Sequence, residues 1–308
     1  MDLLKQLYCI HSPFYREWPM ICFIREYIRQ HVPEADVQMD SWGNLYVVKD
    51  EGLKVKDKEL KGYPTLACHL DQVQTLHSED FSVTEKDGTL YGWSEQNQRR
   101  EGLGADDKNG IWICLRCLEE CPRLKVFMAV GEEKGCIGSN HADMSFFADS
   151  LYVLEPDCKG GKEIHTNLKD VPCASPDFEQ ALLEANGQCS KMRLSERRAE
   201  LVRAMPSVSI LGEANGQWSM VNGQWSITPS KGSDIFALTL NGIGVSCANI
   251  PAGYHLPHKD DEYTVIAELE HTLAFIRHFV TTEHRRFPHT YKTYTQQMIE
   301  ELYELHQI

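Results

Sequence analysis

Short apolar runs alternate with amphipathic stretches along this chain. The runs Asn44–Val48, Thr65–Cys68, Leu124–Val130, Ser150–Leu154 and Ile243–Cys247 are four to seven residues long and bounded by Gly, Pro or polar positions. That pattern reads as buried β-strands. Residues 80–94 predict a further strand pair turned at Asp87-Gly88, and the charged stretch 49–61 reads as a solvated loop or edge hairpin.

Between the strands the period changes. Met20, Phe23, Ile24 and Ile28 recur at helical spacing within residues 1–31, where Ser12-Pro13 interrupts the pattern and can cap and start a second helix. Ile111, Trp112 and Leu115 predict a helix over about 109–120, and Ile266, Leu269, Leu273 and Ile276 line one side of a helix over Thr264–Thr281. Ser233–Leu240 reads as a helix with Ser233 as its cap and Asp234 in its first turn. Residues 177–205, broken at Gly187, and 291–307 complete the set. Strands alternating with helices predict an α/β fold: a mixed, largely parallel sheet covered by helices on both faces.

Chemistry gathers where the strands end. Thr65–Cys68 runs into His69-Leu70-Asp71, and strand alternation lets His69 and Asp71 face the same way. Leu124–Val130 ends in Gly131-Glu132-Glu133-Lys134-Gly135, Ser150–Leu154 in Glu155-Pro156-Asp157, and Ile243–Cys247 feeds Tyr254-His255-Leu256-Pro257-His258 and the acids after it. In open α/β sheets ligand sites form outside the carboxyl ends of strands. Paired carboxylates there need cations or solvent, because burying them unpaired is costly. The glycine-rich turn Gly102-Leu103-Gly104-Ala105-Asp106-Asp107-Lys108 adds two more acids.

This inventory fits two zinc ions. Zinc takes nitrogen and oxygen ligands at about 2.0–2.2 Å, and paired ions about 3.5–4 Å apart need a bridging carboxylate. His69 and Asp157 are the expected ligands of one ion, Glu133 and His258 of the other, with Asp106 as the bridge. Asp71 is expected to orient His69, and Glu132 to be the general base. Cobalt or manganese are alternatives, since such sites bind several metals. Two choices stay open at this level: Glu155 against Asp157, and His255 against His258.

Composition narrows the class. A formal net charge of -14 argues against nucleic acid as the main partner. No run is apolar enough to span a membrane, and no secretory signal opens the chain. Eleven scattered cysteines point to a reducing, cytoplasmic setting. Cys114, Cys117 and Cys121 share one helix face and read as packing, not as a metal cluster. Asn-Gly-Gln-(Cys/Trp)-Ser occurs at 186–190, 215–219 and 222–226, and Asn222-Gly223 between Trp218–Val221 and Gln224–Ile227 reads as a hairpin turn; the likeness of the copies reads as tandem duplication, or as a substrate-facing hairpin carrying Trp218 or Trp225.

His69-Leu70-Asp71, Gly104-Ala105-Asp106-Asp107-Lys108, Gly131-Glu132-Glu133-Lys134-Gly135, Asp157 and His258 together resemble the co-catalytic zinc exopeptidases. The resemblance spans roughly residues 65–260 and is closest to peptidase T and its tripeptidase-like relatives. It implies a three-layer catalytic core, the same residue roles, and cleavage of short peptides from one end. Relatives of that type carry a lid and dimerisation domain between the fourth and fifth ligands. Only about a hundred residues separate Asp157 from His258 here, so a full lid is not expected. The expected organisation is one catalytic domain over 1–308, with a helical or hairpin excursion at 186–228 and a helical tail at 287–308. A homo-oligomer is compatible with this. The competing functions are an amidase or deacylase of N-acyl amino acids, with Lys159, Lys231 and Lys259 as candidate carboxylate binders, and a non-catalytic metal-binding relative.

Overall fold

The computed structural model describes residues 1–51, 62–168, 171–189, 225–229 and 232–292. Helices α1 (Asp2–Tyr8) and α2 (Trp18–His31) open the chain, followed by strands β1 (Asp36–Met39), β2 (Leu45–Asp50) and β3 (Tyr63–His69). A hairpin of β4 (Phe81–Lys86) and β5 (Thr89–Ser94) and the short β6 (Arg99–Glu101) lead to helix α3 (Ala105–Glu120). Then come β7 (Arg123–Ala129), α4 (Ile137–Asn140), β8 (Ser150–Cys158) and the two-residue strands β9 (Glu163–Ile164), β10 (Asn167–Leu168) and β11 (Val171–Pro172). Helix α5 occupies 176–189. After it come β12 (Ser226–Ile227), α6 (Asp234–Leu240), β13 (Cys247–Pro251), β14 (Tyr254–His255), β15 (Tyr263–Val265) and α7 (Ile266–Thr282).

The main sheet has the order β1-β2-β7-β3-β8-β13. The β7–β3, β3–β8 and β8–β13 pairs are parallel, whereas β1–β2 and β2–β7 are antiparallel. The sheet is therefore mixed and largely parallel, and helices cover it. Alternation along the strands sorts the core into two apolar layers. Leu45, Val47, Leu66, Cys68, Val126, Met128 and Leu154 point to one side, where residues of α1, α2, α3, α5 and α7 pack. Tyr46, Ala67, Phe127, Ala129 and Val153 point to the other, against Ile235, Phe236 and Leu238 of α6 and Phe147. Because β7, β3 and β8 are adjacent and parallel, their carboxyl ends open on one edge. A smaller sheet, β14-β15-β5-β4 with β6 on β5, stands beside that edge.

Several boundaries differ from the sequence reading. The second helix does not start at Ser12-Pro13. Pro13 pairs with Gln72 as an isolated bridge, and α2 begins at Trp18, with a proline in its first turn; a proline there loses no helical hydrogen bond. The strand expected at Ile243–Cys247 lies four residues later, at Cys247–Pro251, because it registers against Val153–Cys158 of β8. Tyr263–Val265 is strand, so α7 starts at Ile266. Ser233 occupies the cap position of α6 but makes no side-chain capping bond; its hydroxyl donates to Glu155 Oε2 at 2.5 Å.

Cys114, Cys117 and Cys121 are buried, free and embedded in the apolar layer on the α3 side. Trp218, the expected hairpin around Asn222-Gly223, the 191–205 part of the expected helix and the 291–307 helix lie wholly or almost wholly outside the described residues. Trp225 lies within them, buried, with its indole N–H donating to the Gly161 carbonyl at 3.0 Å.

Candidate metal centre

Three parallel strand ends and two loops converge here. His69 is the last residue of β3, Asp157 lies near the end of β8, and Glu132 and Glu133 form a single 3-10 turn just after β7. Asp106 sits in the first, irregular turn of α3, and His258 on the loop between β14 and β15. The two acidic turns are entered the same way. Gly104 (φ 63°) and Gly131 (φ 64°) are left-handed, and a Cβ would come within 2.9 Å of the Gln72 side chain at the first and 2.7 Å of the Phe14 ring at the second. Only glycine holds that conformation at so close an approach without strain.

Asp106 is central. Its Oδ1 lies 3.1 Å from His69 Nε2, and its Oδ2 lies 3.1 Å from His258 Nε2. On the inner side Asp157 Oδ1 stands 3.5 Å from the same His69 nitrogen. On the outer side Glu133 Oε1 stands 3.0 Å from His258 Nε2. His69, Asp106 and Asp157 thus form one group of donors, and Asp106, Glu133 and His258 another, each with its donor atoms within 4.8 Å of one another. Ligands around a tetrahedral ion with bonds of about 2.0–2.2 Å lie about 3.3–3.6 Å apart. The observed separations, 3.0–3.5 Å, lie at or just below that spacing, so a small outward adjustment lets each group share a divalent cation. Glu133 Oε1 is buried, and the neighbour it faces is His258 Nε2.

The electrostatics follow from crowding. Burial pushes the Asp106 carboxyl up, but hydrogen bonds from His258 and His69 outweigh it and hold it well below the carboxylate range. Burial disfavours a charged His69, yet Asp106, Asp157 and Asp71 together hold its pKa well above the usual 6.5. Asp106 and Glu133 lift His258 to about 10. Burial, then the Asp106 charge, pushes Asp157 well above its ordinary value. Glu132 rises to about 8, first by burial and then through Glu133, Asp106 and Glu155, with His69 opposing.

Asp71 does two things at once. Its Oδ1 stands 3.3 Å from His69 Nδ1, and the carboxylate accepts the backbone N–H groups of Glu132 (2.9 Å) and Glu133 (3.2 Å). Neither alternative left open by the sequence joins these two donor groups. Glu155 Oε2 accepts the Ser233 hydroxyl and the Ile235 N–H, and His255 is engaged with Glu268 at 2.7 Å and stacked on Tyr263. Lys159 and Lys259 are exposed, and Lys231 lies outside the described residues.

Two acids were not assigned by the sequence reading. Asp107 is fully buried; its Oδ2 accepts the His69 N–H at 3.2 Å and its Oδ1 the Gly110 N–H at 3.0 Å, tying the α3 turn to the end of β3. Glu262 is also fully buried and accepts the Ala105 N–H at 3.0 Å. The signal for Asp107 was its place beside Asp106 in a glycine-rich turn; Glu262 gave none beyond following His258 by four residues.

No protein-family model matches this chain, and no curated protein sequence matches it. Solved structures do. Aminopeptidase PepT from Bacillus cereus superposes with a TM-score of 0.62 at 16% identity, over 91% of this chain and 96% of that one. A tripeptidase from Staphylococcus aureus gives 0.59 at 16% identity, over 91% and 96%. An aminopeptidase from the archaeon Desulfurococcus kamchatkensis gives 0.58 at 15%, over 91% and 94%. The TET1 peptidase of Pyrococcus horikoshii, which can assemble into a tetrahedron or a large octahedral shell, gives 0.53 at 14%, over 91% and 98%. The chain shares the α/β fold of these peptidases. Among the described residues no helix is long and apolar enough to cross a membrane.

Proposed function

We propose that this chain is a metal-dependent exopeptidase of the aminopeptidase or tripeptidase type, hydrolysing short peptides. The observation that carries the reading is Asp106, which turns one oxygen to His69 and the other to His258. His69, Asp157 and Asp106 would hold one divalent ion, and Glu133, His258 and Asp106 a second. Zinc is the first choice, with cobalt or manganese as alternatives. Bound there, such ions polarise a scissile carbonyl and acidify water.

The remaining chemistry belongs to the chain. Glu132 takes the proton of the attacking water on a carboxylate oxygen and passes it to the leaving amine. A base poised between those tasks needs a pKa near working pH. Asp71 holds the Glu132 amide and faces His69, so base and ligand keep a fixed relation. The shared fold with an aminopeptidase and a tripeptidase supports the same reading.

The test is a dipeptide-to-tetrapeptide series with free or acetylated N-termini, assayed with and without added zinc. The proposal expects zinc-dependent release of N-terminal residues from the free peptides. Turnover of only the acylated substrates would favour the deacylase reading, and no turnover of either with full metal content would favour a non-catalytic relative. A single domain over 1–308 is part of the proposal, checked by one cooperative unfolding transition. A homo-oligomer is the expected assembly, checked by light scattering.

A further inference from the structure

The loop that carries His258 also carries Glu262, and both residues contact the turn at Asp106. His258 Nε2 faces Asp106 Oδ2 at 3.1 Å. Glu262 Oε2 accepts the Ala105 N–H at 3.0 Å and its Oε1 the Asp106 N–H at 3.4 Å. The Gln74 side-chain amide donates to Glu262 Oε2 at 3.2 Å, and Arg100 donates to the Glu262 carbonyl at 3.2 Å. Glu262 therefore ties three segments together: the chain after β3, the turn that opens α3 and the loop that supplies the outermost histidine.

The arrangement has a direction. The backbone donors at the start of a helix are unsatisfied by the helix itself, and Glu262 fills two of them, at Ala105 and at Asp106, the residue whose side chain faces both histidines. His258 has a half-exposed side chain, against a fully buried His69, and a positive φ of 66°. Asp106 is common to both groups; His69 and Asp157 of the inner one stand on strands, whereas His258 of the outer one stands on a loop. We infer that Glu262 is a positioning residue for the outer metal ion: it clamps the Asp106 turn to the His258 loop and so sets the affinity of the Asp106–Glu133–His258 group. This rests on the two-ion reading above. Groups that orient metal ligands commonly change metal affinity about 10–100-fold when removed.

The test is titration of the metal-stripped full chain with cobalt(II), reading visible absorption and bound metal after gel filtration, for wild type, Glu262→Ala and Glu262→Gln. Wild type is expected to take two equivalents. Glu262→Ala is expected to weaken both equivalents, since they share Asp106, and to weaken the second, which also depends on the His258 loop, about 10–100-fold more than the first. Glu262→Gln, which keeps an acceptor for the Ala105 N–H, is expected to fall between and serves if the alanine variant does not fold. A purely structural role lowers the melting temperature of the metal-free protein and leaves the second equivalent unchanged; that result overturns the inference. Equal weakening of both equivalents also overturns it. If wild type binds no ion the two-ion reading fails first, whereas two wild-type-like equivalents in both variants defeat this inference alone.

Discussion

Asp71 holds the amide of Glu132 at 2.9 Å with the same carboxylate oxygen that stands 3.3 Å from Nδ1 of His69. One side chain therefore faces the imidazole of a proposed ligand and holds the amide of the proposed base. Asp71→Asn keeps the size and loses the charge. It is expected to weaken metal binding about 10–100-fold, with the larger effect on the ion that His69 holds. Competition titration against a chelating dye checks this.

Glu132→Gln removes the proton acceptor without removing a proposed ligand. Turnover is expected to fall about 10²–10⁴-fold, the usual range for a positioned acid–base group. Metal content, measured by elemental analysis, is expected to stay at the wild-type value. Full activity in this variant would show that the base is assigned to the wrong residue.

Asp157 and Glu155 lie two residues apart on one strand and have different surroundings. Asp157 faces His69 at 3.5 Å, while Glu155 is bonded to Ser233 and Ile235 of the α6 end. Asp157→Ala is expected to lose one metal equivalent. Glu155→Gln is expected to keep both and to lower the melting temperature instead, since it disturbs a buried bond between β8 and α6. Metal content and thermal melting of the two variants separate these outcomes; the reverse pattern would make Glu155 the ligand.

His77 gives a pH signature away from the proposed ligands. It stacks on Phe81 and on His11, and burial, then the Lys108 and His11 charges, pulls its pKa down to about 4. An unfolded histidine titrates near about 6.5. Between those values the unfolded chain holds a proton that the folded one lacks, so stability falls as pH drops through this window. His77→Phe, which cannot bind that proton, is expected to show a flatter loss of melting temperature between about pH 6.5 and 4 than wild type. Parallel curves for the two proteins would remove His77 as a contributor.

The central strands of the sheet were legible because they are buried on both faces and read as continuous apolar runs: Leu124–Val130 became β7 and Thr65–Cys68 became β3 with little change at their ends, whereas the mostly exposed edge strand β1 was not read. The acidic and imidazole groups were legible because they follow such runs directly. The register of β13 was not, since Val245 and Cys247 are both buried and an apolar run does not fix where pairing with β8 begins. The start of α2 was missed because two prolines, Pro13 and Pro19, compete for one helix opening, and only packing chooses between them. Glu262 was missed for a different reason. Its partners are backbone N–H groups more than 150 residues away, which leave no trace in side-chain pattern.

The central claim is that Asp106 is shared between two cations. A crystal of the zinc-loaded protein, with anomalous difference density measured at the zinc edge, tests it directly. The account predicts two peaks about 3.5–4 Å apart, one beside His69 and Asp157, the other beside Glu133 and His258, with Asp106 between them. A single peak, or two peaks that leave Asp106 to one side, would contradict it.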